Sequence, residues 1–428
     1  MHTQSITLAE CLALDQADSL RSLRDLYQVP EGLIYLDGNS LGVLPKATPA
    51  RVAAAVAQEW GQDLIKSWNS AGWFQMPLLV GNKIARLIGA KEDEVVAADS
   101  TSINLFKVLS AALSISQADH PEKKIILSER TNFPTDLYIA EALCKERGFT
   151  LQLVESEQLQ TALQEGVAVL MLTHVNYRTG AMFNMQAMTA AAHSVGALTV
   201  WDLAHSAGAV PVDLSGSEAD FAVGCGYKYL NGGPGAPAFV WVNTKHTNRF
   251  WQPLSGWWGH AAPFEFTPDY KPATGIARYQ CGTQPILSLT ALDTALDTFL
   301  EVEKQGGMAA LRKKSLALTS LFMRLTQAEL SAHEFGIATP FDEAMRGSQV
   351  SLTRSEGGYA IVQALIARGV IGDFRAGDGQ SQADILRFGL TPMYTRFVDV
   401  WHAVQHLKEV MDSREWQQPR FTHKKAVT

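Results

Sequence analysis

Hydrophobic positions in the middle of the chain fall into short runs that are apolar throughout, separated by stretches with helical spacing. The strand-like runs are residues 94–99, 124–129, 151–155, 167–175, 197–202, 221–226 and 238–242, and the helical stretches are 102–113, 134–146 and 188–196. Apolar runs without polar alternation are typical of strands buried on both faces. Their alternation with helices predicts an α/β fold with a mostly parallel sheet flanked by helices.

The pattern changes near residue 300. A helix-rich stretch (301–332) is followed by shorter alternating pieces and a last helix (397–412). This predicts a large domain over residues 71–300 and a smaller α+β domain over residues 301–428, which an N-terminal segment (1–70) joins. Ligands of the large domain are expected beyond the carboxyl ends of its parallel strands.

Composition and charge argue against several classes of function. The chain has 428 residues and a net charge of −7, which does not favour nucleic acid as a partner. No apolar run approaches the ~20 residues that span a bilayer, and the first residues lack the pattern of a secretory signal. We therefore predict no membrane partner and a cytoplasmic location. The four cysteines are widely spaced without a CxxC pair, which predicts neither a disulfide framework nor a metal site.

The block WDLAHSAGAVPVDLSGSEADFAVGCGYKYLNGGPG (201–235) carries the strongest chemical signal. Asp202 ends one apolar strand, and Lys228 follows the next strand, so both side chains are expected in the same crevice. A lysine amine can form a Schiff base with an aldehyde cofactor, and a carboxylate can keep a pyridine nitrogen protonated. Either residue alone is more often a surface or strand-end group. Together they favour pyridoxal phosphate (PLP).

Several other junctions between strands and helices could complete such a site. Thr101 and Ser102 lie where a strand gives way to a helix, and the free N–H groups there favour a phosphate, although plain helix capping is the commoner role. Phe133 could stack on a ring, or simply pack in the core. Thr173 and His205 are further candidates, each with a turn or packing role as the alternative.

These blocks, with others in the same order along the chain, resemble the kynureninase family. The matching motifs are YLDGNSLG (35–42), NFPTD (132–136), WDLAHSAGA (201–209), GYKYLNGGPG (226–235), GWWGH (256–260), GTQP (282–285) and RFGLTPMYTRF (387–397). The resemblance covers essentially the whole chain. It implies a fold-type I PLP enzyme related to the class V aminotransferases, active as a homodimer whose subunits share their active sites.

The resemblance also implies roles for individual residues. The implied catalytic residues are Lys228, Tyr227 and Asp202. The implied cofactor-binding residues are Thr101, Ser102, Phe133, Asp136, Thr173, Asp202, His205, Tyr227 and Lys228, with Trp257 and Thr283 reaching in from the second subunit. The implied substrate-binding residues are Ser40, Trp68, Trp258 and Arg387, whose guanidinium suits a two-point contact with the substrate carboxylate.

The implied reaction is the hydrolysis of L-kynurenine to anthranilate and L-alanine, a step of tryptophan catabolism and of the kynurenine pathway toward NAD biosynthesis. Animal members carry an asparagine before a proline pair and a histidine in the loop around Trp68. This chain has Gly282 and Thr283 in place of the first and lacks the second, as in bacterial members. The sequence leaves open how far 3-hydroxykynurenine is also accepted, and we expect a preference for kynurenine.

Two alternatives remain at this point. Another class V enzyme, such as a cysteine desulfurase, would need a nucleophilic cysteine on a mobile loop. Cys225 falls in a predicted strand, and Cys281 lies in the stretch matched to the subunit interface. A PLP-dependent regulator would need a DNA-binding domain, for which there is no room before residue 35 and no basic stripe.

Overall fold

A computed structural model describes residues 6–378 and 382–423. The chain divides into two compact units. Unit 1 comprises residues 1–46, 178–182 and 297–428, and unit 2 comprises residues 47–177 and 183–296. Within the described ranges, no helix combines the length and the apolar character that crossing a membrane requires.

The secondary structure follows the predicted order. The strands are β1 (Ile34–Tyr35), β2 (Val95–Ala97), β3 (Ile125–Glu129), β4 (Thr150–Val154), β5 (Val167–Thr173), β6 (Leu198–Asp202), β7 (Phe221–Gly224), β8 (Phe239–Val242), β9 (Gly336–Ile337), β10 (Gln349–Arg354), β11 (Val370–Ile371), β12 (Asp373–Arg375) and β13 (Asp384–Gly389). The α-helices are α1 (Leu8–Ala17), α2 (Thr48–Ala54), α3 (Ser67–Ser70), α4 (Met76–Ala85), α5 (Thr101–Asp119), α6 (Pro134–Arg147), α7 (Leu159–Ala162), α8 (Met185–Ser194), α9 (Thr244–Thr247), α10 (Ile286–Lys304), α11 (Gly307–Glu329), α12 (Gly358–Ala367), α13 (Phe397–Asp412) and α14 (Pro419–Thr422).

Unit 2 is built on a seven-stranded sheet in the order β2-β8-β7-β6-β5-β3-β4. All neighbouring pairs from β7 to β4 are parallel, and β8 runs antiparallel to both of its neighbours. Every residue of β5 and β7 is buried, because helices such as α5 pack against the sheet. The prediction of a mostly parallel sheet flanked by helices is confirmed.

Unit 1 contains the smaller α+β part. Its four-stranded antiparallel sheet has the order β12-β13-β10-β9, and β1 pairs in parallel with β11. Helix α1 packs against α13, although the two helices are far apart in the sequence. The carboxylate of Asp15, in α1, accepts hydrogen bonds from the backbone N–H groups of Phe397 and Val398 at 2.7 and 3.0 Å. It thereby satisfies two free donors at the N-terminus of α13.

The boundary between the units differs from the predicted one at residues 47–70, which group with unit 2. Aromatic packing gives a physical reason. The ring of Trp68 lies 5.5 Å from that of Trp73 and 5.1 Å from that of Trp258, both in unit 2. The short segment 178–182 instead groups with unit 1, where Ala181 forms an isolated antiparallel β-bridge with Arg346.

Candidate active site

Lys228 lies at the carboxyl edge of the sheet in unit 2, in the turn that follows β7. Its Nζ is 2.9 Å from His205 Nε2 and 5.9 Å from the centre of the Phe133 ring. The glycines and the proline after it keep the chain in a turn, so that the lysine side chain enters a cavity. The sequence predicted this location from the strand that precedes the lysine.

Asp202 is the last residue of β6 and is 4% exposed. Its Oδ1 accepts a hydrogen bond from the backbone N–H of Ala204 at 2.7 Å. Burial raises the pKa of Asp202, and the positive charge of Lys228 opposes that shift. The two residues predicted to converge are therefore within electrostatic range of each other in the same cavity.

Asp136 forms a second buried carboxyl group beside Asp202. It lies in the first turn of α6, is 3% exposed, and its Oδ2 has no hydrogen-bond partner. Burial, followed by the negative charge of Asp202, raises the pKa of Asp136 well above its usual value. Two carboxyl groups this close in a buried site cannot both ionise easily, so the pair favours a state with one negative charge and one shared proton.

The N-terminus of α5 borders the same cavity. Ser100 caps this helix, and its Oγ accepts a hydrogen bond from Ile103 N at 3.3 Å. Thr101 and Ser102 are thus not the capping residues, and their side chains line the cavity. Ser100, which also lines it, was missed in the sequence. Its signal was its place directly before the helix, where serine is a preferred cap.

Asn132 connects two of the predicted residues and was also missed. Its Oδ1 accepts hydrogen bonds from the hydroxyl of Thr173 and from Phe133 N, and its Nδ2 donates to Ser128 Oγ at 3.0 Å. The ring of Phe133 is 39% exposed and stands edge-on to Tyr177. Asn132 therefore fixes the turn that presents an accessible aromatic ring to the cavity.

The structure brings together all the cofactor residues that were predicted from one subunit. The cavity is lined by Ser100, Thr101, Ser102, Phe133, Thr135, Asp136, Thr173, Tyr177, Asp202, Ala204, His205, Tyr227 and Lys228. The two residues predicted to come from the second subunit, Trp257 and Thr283, are not among the lining residues of the single chain. Trp257 is 38% exposed and Thr283 is exposed.

The predicted substrate wall is partly assembled in unit 2. Trp258 is 4% exposed, and its ring lies 5.1 Å from Trp68 and 5.0 Å from Phe74. Trp68 is in turn edge-on to Trp73. The indoles of Trp68 and Trp258 are therefore held by one aromatic cluster and have little freedom to move apart.

The other two predicted substrate residues, Ser40 and Arg387, meet in unit 1. Arg387 Nη2 donates to Ser40 Oγ at 2.8 Å. The Arg387 guanidinium also forms a two-point ion pair with Asp373. Asp373 Oδ1 accepts a hydrogen bond from Arg387 Nε at 2.8 Å, and Asp373 Oδ2 accepts one from Arg387 Nη2. Both charged side chains are 2% exposed. Asp373 was not predicted, because its pairing with Arg387 depends on the register between β12 and β13.

The cysteines have environments that suppress nucleophilic reactivity. Cys225 follows β7, outside the strand in which it was predicted, and is 3% exposed. Burial raises the pKa of the Cys225 and Cys281 thiols above the usual value. A sulfur-transfer enzyme needs an accessible thiolate, so these residues do not support the desulfurase alternative.

The fold and the cavity define a class of enzyme, and comparison with known proteins supports that class. The family profile of the class V aminotransferases matches residues 80–352, and the profile of the kynureninase C-terminal domain matches residues 311–407. A cysteine desulfurase from Thermococcus onnurineus NA1 has the same fold, with a TM-score of 0.75 and 18% identity over 92% of this chain and 98% of that chain. A C-DES variant with glycine covalently linked to the PLP cofactor has a TM-score of 0.77 and 17% identity, over 90% and 99%. The chain has the class V, fold-type I architecture.

Full-length relatives narrow the assignment. The kynureninase of Pseudomonas fluorescens is 55% identical over 425 residues, which cover 99% of this chain and 100% of the relative. That of Burkholderia mallei (strain SAVP1) is 51% identical over the same shares. The chain belongs to the kynureninase family. The desulfurase structures, at under 25% identity, establish the fold alone.

Proposed function

We propose that this chain hydrolyses L-kynurenine to anthranilate and L-alanine with PLP as its cofactor, acting as a hydrolase on the Cβ–Cγ bond of a ketonic substrate. The observation that carries the proposal is the convergence of Lys228 and Asp202 in one buried cavity, in a chain of the kynureninase family. In a cell the reaction would serve tryptophan catabolism in the cytoplasm, as a step of the kynurenine pathway, which also has a branch toward NAD biosynthesis.

The residues in the cavity fit PLP. A lysine amine is available for the aldehyde, and the buried carboxylate of Asp202 suits the pyridine nitrogen. The N-terminus of α5, with Thr101 and Ser102, suits the phosphate. Phe133 offers a partly exposed ring for stacking, and Thr173 and His205 complete the lining. When bound, the cofactor supplies an electron sink for bonds broken at the substrate amino acid.

The chain's own residues would move the protons. Lys228 Nζ is placed to take the Cα proton of the substrate, and His205 Nε2 lies within hydrogen-bond distance of it, at 2.9 Å. Burial raises the pKa of the Tyr227 phenol, so this hydroxyl stays protonated at neutral pH and can act as a proton donor. Asp202 and Asp136 together would place one negative charge at the base of the cavity, because burial and mutual repulsion disfavour a second.

Substrate recognition would combine charge and aromatic packing. Arg387 would bind the α-carboxylate, with Ser40 beside it. Trp68 and Trp258 would face the aromatic ring of the substrate. The proposal is tested by adding kynurenine to the purified holoenzyme and following anthranilate fluorescence. Release of sulfide from cysteine without anthranilate from kynurenine would instead favour the desulfurase alternative.

We expect the active form to be a homodimer. The exposed rings of Trp257, Phe264 and Phe266, at 38%, 63% and 77%, support this proposal because neighbouring exposed aromatics are typical of interfaces. Sedimentation velocity at assay concentration should give a single species of twice the chain mass. A monomer with full activity would contradict the expectation.

Shared active sites can be tested by mixing two inactive variants. If Trp257 acts in the partner's site, a dimer of Lys228→Ala and Trp257→Ala subunits contains one site with both residues intact. Random reassortment should restore roughly a quarter of the wild-type activity. Mixing Lys228→Ala with Asp202→Asn is the matched control, because both residues belong to the same subunit's cavity, and it should restore none.

We expect kynurenine to be preferred over 3-hydroxykynurenine. Trp68 and Trp258 are held together by their aromatic cluster, so they should crowd the 3-position and offer its hydroxyl few partners. Burying a hydroxyl without a hydrogen bond costs about 1–3 kcal/mol, which corresponds to a preference of roughly 5- to 150-fold. The kcat/KM values for the two substrates measure it. Trp68→His introduces the polar residue of the animal enzymes and should reduce the preference for kynurenine. Equal kcat/KM values for the two substrates in the wild type would overturn the expectation.

A further inference from the structure

The carboxylate-binding arginine of unit 1 is part of a compact cluster of charges. Asp373 and Arg387 are directly opposite each other on β12 and β13, and their side chains point to the same face. Asp373 Oδ2 also accepts from Ser40 Oγ at 2.8 Å and lies 2.8 Å from Arg375 Nη2. Asp37 is paired with Gly389, two residues after Arg387, and its Oδ1 is buried without a hydrogen-bond partner.

We infer that Asp373 is a positioning residue for substrate binding: its two oxygens fix the plane of the Arg387 guanidinium, and thereby the direction in which Arg387 meets the substrate carboxylate. This inference rests on the proposed role of Arg387. Two-point contact removes rotation of the guanidinium about its last side-chain bond, which a single hydrogen bond would allow. Ser40 bridges the same pair and holds it from a third side. A binding group held in place before the ligand arrives loses less freedom on binding.

Asp37 makes KM depend on pH near the Arg387 site. An Asp373–Arg387 pair with a purely structural role would not show this pH dependence. Burial, followed by the negative charge of Asp373, raises the pKa of Asp37 to about 7, against the opposing effects of the Ser40 hydrogen bond and of the charges of Arg387 and Arg375. The phenols of Tyr35 and Tyr394 also face Asp37. Burial raises the pKa of each phenol above its usual value, so both stay neutral at assay pH. As the pH rises through 7, Asp37 becomes negative and should oppose the substrate carboxylate. KM should therefore increase with pH in the wild type.

The test is Asp373→Asn in the holoenzyme. The amide keeps the shape but loses the two-point ionic contact, so KM for kynurenine should rise about 10- to 100-fold. kcat should stay within roughly threefold, because Lys228 and Tyr227 are untouched. The pKa of Asp37 should fall when its negative neighbour is removed. KM of the variant should then no longer change around pH 7. A KM that is unchanged or lower, or a parallel loss in kcat, would overturn the inference.

Two further variants guard against a trivial loss of folding. Asp399→Asn is the matched control, since Asp399 is also a buried carboxylate that holds an arginine in unit 1, Arg24, at 3.1 Å. It should lower thermal stability and leave KM unchanged. If Asp373→Asn is insoluble, Asp373→Glu keeps the charge but displaces the oxygens. A wild-type KM in that variant would count against positioning.

Binding measurements separate this inference from the proposed reaction. Calorimetric titration of the holoenzyme with L-alanine, compared with ethylamine, isolates the contribution of the carboxylate. Asp373→Asn should weaken alanine binding about 10-fold or more and leave ethylamine binding unchanged. Weakened alanine binding in an enzyme that forms no anthranilate would refute the proposed reaction alone. Equal effects on both ligands would refute the positioning role alone.

Discussion

Replacing Lys228 with alanine is expected to abolish both turnover and the covalent attachment of PLP. In the wild type, borohydride should reduce the bond between cofactor and lysine, and peptide mapping should find the label on the peptide that contains Lys228. The physical reason is that this amine enters the cavity beside His205 and Phe133. Only a positioned, uncharged amine can form that bond, so the variant should lose all but background activity.

A surface lysine gives the matched control for this result. Lys245 lies in the same unit with 46% of its side chain exposed, and Lys245→Ala should keep the label and the activity. A borohydride label on any lysine other than Lys228 would refute the assignment of the cofactor site.

Asp202→Asn is expected to slow removal of the substrate Cα proton by about 10²- to 10³-fold, while the protein still folds. The amide preserves the shape of the carboxylate but not its charge, and the charge is what would keep the cofactor's pyridine nitrogen protonated. Exchange of the Cα proton of L-alanine into deuterated solvent, followed by NMR, measures this step without requiring the complete reaction.

Asp220→Asn is the control for loss of a buried carboxylate. Asp220 precedes β7, at the opposite edge of the sheet from Lys228, and accepts hydrogen bonds from His193 and His246, each at 2.8 Å. This variant should be less stable but should exchange the alanine proton at the wild-type rate when folded. If Asp202→Asn exchanges as fast as Asp220→Asn, Asp202 does not have the proposed role.

The position of the cofactor cavity could be predicted from the sequence because it depends on simple periodicity. Fully apolar runs predict buried parallel strands, and the residues that end such strands or follow them closely meet at one edge of the sheet. Asp202, Thr173 and Lys228 each follow that rule, and the structure brings them together.

The features that escaped prediction depend on contacts between distant parts of the chain or on single-residue detail. The ion pair between Asp373 and Arg387 depends on the register of the antiparallel strands β12 and β13, which the sequence does not reveal. Ser100, one residue before the predicted phosphate site, takes the capping role that was weighed for Thr101. Residues 47–70 group with unit 2, and not with the rest of the predicted N-terminal segment, because Trp68 packs against aromatic rings that are distant in the sequence.

The docking of α1 on α13 has a consequence for synthesis on the ribosome. Residues 8–17 are made long before residues 397–412, which form their partner helix and carry the backbone donors that Asp15 satisfies. Unit 1 therefore cannot close until α13 has been made, whereas unit 2, which ends at residue 296, is complete before that. Cys11, which is buried in the core of unit 1, and Leu8, which packs against that core, stay exposed until then, and such transiently exposed apolar side chains are what chaperones shield.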